Sequence, residues 1–283
     1  MLTFLLPAFL GLALHVPSTY AVPASVSIAR ATSVISNQCI NHEYRDEWFV
    51  ADCLTGEDAT TRIQSAVWLN NKVANLDGEL KWDVGGGFTR SCTSCKIINA
   101  GATFTCSCGT TWHSGKNVSR WDGTLDLDEH ISLYSGQLLS NYPSAPKTPS
   151  APLKAAPYPV PKTFKYSFGG TASCPNASAS EPGRDYCNWL GNCTATSFSA
   201  WTYQGPIQCY VPVIYFPDVH YIFSELKIEA EGAYEVLGYA DENCEGGVVE
   251  KVGPESGGIG VCKALGTPVK AVTVRPLFMG DPN

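Results

Sequence analysis

The chain has 283 residues, 44% of them hydrophobic, and a mean hydropathy of −0.05, values that suit a folded protein in water and exclude disorder of the whole. Its net charge is −7 with a sequence pI near 5.2, and the 19 Lys and Arg are scattered, so no basic footprint for phosphate backbones or anionic lipid exists. Nucleic acid and membrane surfaces are poor partners on that ground, and the length predicts two modules.

The first residues, MLTFLLPAFLGLALHV, form an apolar run followed by a polar stretch from Pro17 to Tyr20 and by Ala21, a small residue where cleavage can fall. This predicts a signal peptide over residues 1–21. About sixteen apolar residues interrupted by Pro7 fall short of the roughly 20 that span a bilayer. The twelve cysteines are even in number, come in close pairs and follow this segment, which predicts disulfides and a secreted, extracellular protein. Asn117-Val-Ser119 and Asn176-Ala-Ser178 are expected glycosylation acceptors, whereas Asn192 beside Cys193 is a poor one.

Further along, the chain repeats itself. LNNKVANLDGEL (Leu69 to Leu80) returns at constant offset as LDEHISLYSGQL (Leu127 to Leu138), so that Leu69/Leu127, Val73/Ile131, Gly78/Gly136 and Leu80/Leu138 fall in register. Upstream, Cys39, Phe49 and Cys53 answer to Cys92, Phe104 and Cys108. One small unit has been duplicated, each copy too short to bury a core alone, so the two must fold together over residues 34–141. DEWFVADC and ATFTCSC alternate with period 2, and ELKWD follows the turn signal Asp77-Gly78, which predicts short strands throughout. The run Gly85-Gly86-Gly87 breaks any strand and permits a sharp reversal or a close backbone approach.

Residues 142–165 carry Pro143, Pro146, Pro149, Pro152, Pro157, Pro159 and Pro161, which predicts an extended spacer holding two modules apart. The second module, 166–283, opens with a Ser-, Gly- and Cys-rich part; KIEAEGAYEVLGYADENC and VKAVTVRPL then read as strands of a small sandwich or Greek key. In it Cys244 and Cys262 are assigned to disulfides, while the connectivity among Cys174, Cys187, Cys193 and Cys209 stays open.

The order Cys39, Phe49-Val-Ala-Asp-Cys53, Leu69-Asn-Asn-Lys-Val-Ala-Asn75-Leu-Asp77-Gly78-Glu-Leu80-Lys81-Trp82 and Phe88-Thr-Arg-Ser-Cys92, completed by the second copy with its LDEHI element, resembles the cyanovirin-N homology family. The resemblance implies an all-β, pseudo-symmetric two-repeat fold in which each lobe draws strands from both copies. It also implies a lectin, typically for mannose-rich glycans, with a site near each end, no cofactor and no catalytic machinery. A monomer or a domain-swapped dimer is expected.

Pairing Cys39 with Cys53 closes a short local loop that stabilises by about 3 kcal/mol, and Cys92 with Cys108 is the matching bridge. Cys95 and Cys106 depart from the family's simplest pattern and are expected to add a second rung, with Cys92–Cys106 and Cys95–Cys108 as the alternative. Four thiolates could also hold zinc, but these pairs lie closer than zinc ribbons place them, so no metal is expected.

Sites for neutral sugars need acceptors and donors aimed at vicinal hydroxyls, and often an apolar face. Asn75 and Asp77 stand one residue apart in the turn Ala74 to Gly78. The resemblance adds to this pocket Gly86, Gly87 and Ser91, and the stretch Gly109 to His113, where Trp112 and His113 offer a stacking ring and a ring nitrogen. The acidic residue that the family places before the Asn is Ala74 here, and its polar pair in the loop is Gly86-Gly87, so the pocket is partly kept. At the other end Leu133 and Ser135 stand where an Asn and an Asp are expected, which predicts a weak or dead site. Asn and Asp before Gly also stabilise turns on their own account, sugar or no sugar. That loss of polar groups leaves a non-binding scaffold or effector as the second reading. A third reading, in which Asp126, Asp128 and Glu129 act as a glycosidase pair, lacks a nucleophile with its base, and no enzyme is expected.

Overall fold

A computed structural model describes residues 35–83, 85–110, 119–142, 156–171, 201–211, 223–230, 233–254 and 263–281. The predicted leader, Trp112, His113, the acceptor residues Asn117 and Asn176, Cys174, Cys187, Cys193 and Cys262 lie outside them.

The first copy follows a helical turn (Ile35–Gln38) and builds a three-stranded antiparallel sheet from β1 (Cys39–Arg45), β2 (Trp48–Leu54) and β3 (Arg62–Trp68), then a hairpin of β4 (Val73–Leu76) and β5 (Glu79–Trp82). The second copy repeats the plan with β6 (Cys92–Ile98), β7 (Thr103–Gly109) and β8 (Arg120–Asp126), then the hairpin of β9 (Ile131–Tyr134) and β10 (Gln137–Ser140). Even the irregularities recur, since β1 shifts register between Ile40 and Glu43 and β6 between Thr93 and Lys96. At those bulges Asn41 and Ser94 adopt φ of 54° and 55°.

The hairpins are exchanged. The β4–β5 hairpin of the first copy lies across β8 of the second, so close that a Cβ added to Gly123 would stand 2.8 Å from the carbonyl oxygen of Gly78. The β9–β10 hairpin lies on β3, where Leu138 N donates to Ser65 Oγ at 3.0 Å. One core then serves both copies, with Phe49, Val67 and Leu80 beside Phe104, Leu125 and Leu138. Neither copy has a complete apolar interior without the other's hairpin. Bridges Cys39–Cys53, Cys92–Cys108 and Cys95–Cys106 cross the first two strands of each sheet, and no described cysteine is free.

Beyond the repeats, β11 (Tyr166–Thr171), β12 (Trp201–Tyr203), β14 (Phe223–Ala230) and β17 (Lys263–Val269) make one sheet in the order β12-β11-β14-β17. A second, in the order β13-β18-β15-β16, comprises β13 (Ile207–Tyr210), β15 (Tyr234–Tyr239), β16 (Val248–Val252) and β18 (Ala271–Pro276). Tyr166, Val236, Val252, Val269, Val272 and Val274 lie in their core. Glu235 is fully buried at the level of Arg275 on the neighbouring strand and is held by Arg275 and by Lys251. Cys244 is bridged, as expected, and its partner is Cys209, 35 residues away. The loop after β15 is thereby tied to β13.

Of the expected spacer, residues 143–155 lie outside the described residues, and the described end, 156–165, packs against the repeats. The described residues fall within one compact unit, Thr32–Asn283. Within it Val160 and Phe164 are buried, Phe164 stacks on Trp48 at 4.8 Å, and Phe278 meets both Trp48 and Phe164 edge-on. Asp46, at the β1–β2 turn, accepts from Thr163 Oγ1 and from Phe164 N, each at 3.0 Å. Trp48 donates its indole N–H to the carbonyl of Gln204, and the backbone of Gly205 lies against the ring of Trp68. The last described stretch, 277–281, runs beside β3, with Ala66 N donating to Met279 O at 2.9 Å and Asp281 N to Ala66 O at 2.8 Å. Residues 156–166 therefore join the modules; proline fixes the path of this segment, and its few large apolar side chains decide where it docks.

The consequence for β2 is burial on both faces. Phe49, Ala51 and Cys53 point to the repeat core, while Trp48 and Val50 belong to the core shared with the C-terminal module.

Candidate carbohydrate site

The strand pairing Leu76↔Glu79 leaves Asp77 and Gly78 as a two-residue tip, with φ of 54° and 96°. Positive φ at both positions is the signature of a type I′ turn, which Asp-Gly adopts at low cost and whose twist matches that of the flanking strands. Asn75, one residue into β4, fixes this tip. Its Oδ1 accepts from Gly78 N at 2.8 Å, and its Nδ2 donates to Ser91 Oγ and to Gly109 O, each at 2.8 Å. The structure thus brings Asn75, Ser91 and Gly109 together, and Gly109 N donates to Ser91 O at 2.8 Å to close the same cluster.

Asn75 spends both ends of its amide on the turn and the strand ends, so its part is to position the tip. Asp77 differs: it is exposed, and its carboxylate has no hydrogen-bond partner among the described residues. It is the acceptor this end has to offer.

Gly86 and Gly87 do another task. Gly87 N donates to Asn70 O at 2.6 Å, and a Cβ on Gly86 would fall 2.1 Å from that same oxygen. With φ of 44° and 88° they fold the chain back onto the Asn70-Asn71 turn. No described contact brings them to Asn75.

The wall beside the tip is Thr110 and Trp121. A Cβ on Gly78 would lie 3.2 Å from Thr110 Cγ2 and 3.4 Å from Trp121 Cβ. Thr110 N and Oγ1 donate to Ser119 O at 3.0 and 3.1 Å. Trp121 is 65% exposed, and sequence reasoning passed it over. Alternation along RWDGTLD assigns it to the same face as buried Leu125, where an indole reads as core; the register against Cys108 puts it at the strand's outer end, past that core.

The opposite end is built on the same plan with different side chains. Ser135 and Gly136 form its tip, with φ of 47° and 83°. Leu133 stands where Asn75 stands and packs against the core. The tip rests on Ile63, 2.5 Å from where a Gly136 Cβ would be. An aliphatic side chain stands here in place of the amide of Asn75.

The acids of the glycosidase reading hold the backbone. Asp126 Oδ1 accepts from Asp128 N at 2.9 Å, and Asp128 Oδ1 accepts from Ile35 N at 2.5 Å, capping the first helical turn from the other copy. Partial burial raises the Asp128 carboxyl above its usual value, and the Ile35 bond opposes that shift. Next to them His130 stacks on Trp82 at 4.7 Å, and burial holds its imidazole below the ordinary histidine value. Among the described residues no group of three or more His, Cys, Asp or Glu is placed to hold a metal ion.

A duplicated all-β module with exchanged hairpins and a core common to both copies is a two-lobed, pseudo-symmetric domain. Residues 35–139 match the family model described as the CVNH domain, and this part of the chain is a CVNH domain. Solved structures similar to the chain include a MoCVNH3 variant in complex with (N-GlcNAc)4, at 17% identity over 37% of this chain and 95% of that one, TM-score 0.32. Others are GzCVNH of Gibberella zeae, at 19% over 37% and 94%, TM-score 0.30, and TbCVNH of T. borchii, at 21% over 37% and 96%, TM-score 0.31. No curated protein matches the chain.

Proposed function

We propose that the protein is a secreted lectin that binds neutral oligosaccharides at the β4–β5 end of its CVNH domain. One observation carries this reading: the tip is locked by the three hydrogen bonds of Asn75, while the carboxylate of Asp77, two residues on, is exposed and has no partner among the described residues. A rigid turn presenting a free acceptor is what orientation of vicinal hydroxyls requires, because little conformational entropy remains to be lost on binding. Mannose-rich glycans are the ligands that the family resemblance implies. The leader and the cysteine usage support secretion, and no helix among the described residues is long and apolar enough to cross a membrane. The acids near Asp128 have backbone partners, which agrees with binding rather than catalysis.

The test is calorimetric titration with a panel of neutral oligosaccharides, oligomannose among them, each variant being read on the ligand that the parent binds best. Asp77→Asn keeps a residue that tolerates positive φ but exchanges a charged acceptor for an amide donor, and lowers affinity roughly ten- to hundred-fold, the worth of a charge-assisted hydrogen bond. Ser135→Ala leaves affinity unchanged. Equal losses in both variants would mean that the two ends are alike, and unchanged affinity in Asp77→Asn would remove the turn from the site.

A further inference from the structure

Trp121 is the most exposed of the large apolar side chains described, and no folding requirement accounts for an indole there. It sits at the outer end of β8, paired with Cys108, whose bridge to Cys92 fastens β7 to β6. The backbone of Gly78 lies against its Cβ and Cγ, so its root is fixed while the ring stays open to solvent. The corresponding position of the first copy is Ile63, half-buried under Gly136. One lobe thus ends in a covered aliphatic chain and the other in a bare indole beside a free carboxylate.

We propose that Trp121 is the stacking floor of the glycan site and selects β-linked pyranoses with all-equatorial hydroxyls, of gluco or N-acetylgluco configuration, over α-linked mannose. The inference rests on the lectin reading and specifies its ligand. Sugars meet aromatic rings through their C–H faces. A β-linked ring with equatorial substituents offers such a face on both sides, whereas α-mannose carries an axial oxygen on each: O2 on one, the glycosidic oxygen on the other. With the Asn75 amide committed to the turn, the described residues of the site offer few polar contacts to discriminate with, and the apolar platform carries the larger share of recognition. Asp77, at the tip that touches the root of the indole, then accepts from a hydroxyl or an N-acetyl N–H at the ring's edge.

The experiment is a glycan array carrying chito-, cello- and α-manno-oligosaccharides, read with the full-length protein and with Trp121→Ala, Trp121→Tyr and Asp77→Asn. The parent favours the β-linked ligands, Trp121→Ala loses at least about tenfold, and Trp121→Tyr, which keeps an aromatic face, retains most of the signal. Melting temperatures of the Trp121 variants match the parent, since the exposed ring contributes little to the fold. A parent that prefers α-mannose, or a Trp121→Ala variant that binds as the parent does while Asp77→Asn fails, overturns the inference and leaves the lectin reading standing. A parent that binds no glycan overturns the lectin reading and the inference with it.

Discussion

Removing the carboxylate of Asp281 should destabilise the protein severely although this residue is no part of the proposed sugar site. Asp281 and Lys72 are both fully buried, their charged atoms 3.4 Å apart, and Asp281 also accepts from Ser140 Oγ. Taking away one member of such a pair leaves the other charge without its counter-ion in a low-dielectric interior, at a cost of about 3–5 kcal/mol. For a unit of this size that corresponds to a fall in Tm of roughly 6–20 °C. Asp281→Ala is to be compared with Lys72→Met/Asp281→Leu by circular dichroism melting. The double variant recovers most of the loss, because a buried ion pair can be exchanged for apolar volume at little net cost. If Asp281→Ala melts within a degree or two of the parent, water reaches the pair and the tail is not seated as described.

Burial holds the Lys72 ammonium at about 8, below its ordinary value, against the opposing pull of Asp281. Between pH 8 and about 10.5 the unfolded chain therefore binds more protons than the fold, so the penalty is full below that window and is relieved as pH rises through it; denaturant titrations should show parent stability climbing relative to Lys72→Met, and parallel curves refute the assignment. Asn75→Ala strips three hydrogen bonds from the β4–β5 tip and should cost about 2–4 kcal/mol of stability, seen as a lower denaturation midpoint, whereas Asp77→Asn should leave the midpoint within about 0.5 kcal/mol. Nicking by trypsin at Lys147 or Lys154 should give two fragments that co-elute on gel filtration, because Trp48, Phe164 and Phe278 bury one another across the modules; separation of the fragments would restore the free spacer.

The parts of the fold that could be read in the sequence are those written in short-range chemistry. Asp77-Gly78 names its own turn, and Phe49/Phe104 with Cys53/Cys108 set the register of β2 and β7 because alternation and bridge geometry both depend on it. What escaped depends on partners distant in sequence. Trp-Phe-Val-Ala in β2 is apolar on both parities, a mark of two buried faces, but reading it so requires knowing that Phe164 and Phe278 lie more than a hundred residues away. Val160 and Phe164 were masked by the prolines around them, and the pairing of Cys209 with Cys244 cannot be deduced from spacing. In the site, Asn75 was legible as a turn residue and equally as a ligand; its three bonds assign it to the turn. Trp121 was overlooked because periodicity reports the face of a strand and not where the core beneath it ends.

The two copies record the same sheet under different circumstances. In the second, the outward positions of β7 and β8 are Thr103, Thr105, Thr124 and Asp126; in the first, their counterparts on β2 and β3 are Trp48, Val50, Ala66 and Trp68. The second copy is therefore a template for what the first must become to live alone. Writing those four polar residues into the first copy should turn residues 35–142 into a freestanding module. The unedited module, parted from the rest of the chain, would expose two tryptophans on a flat sheet and be expected to self-associate.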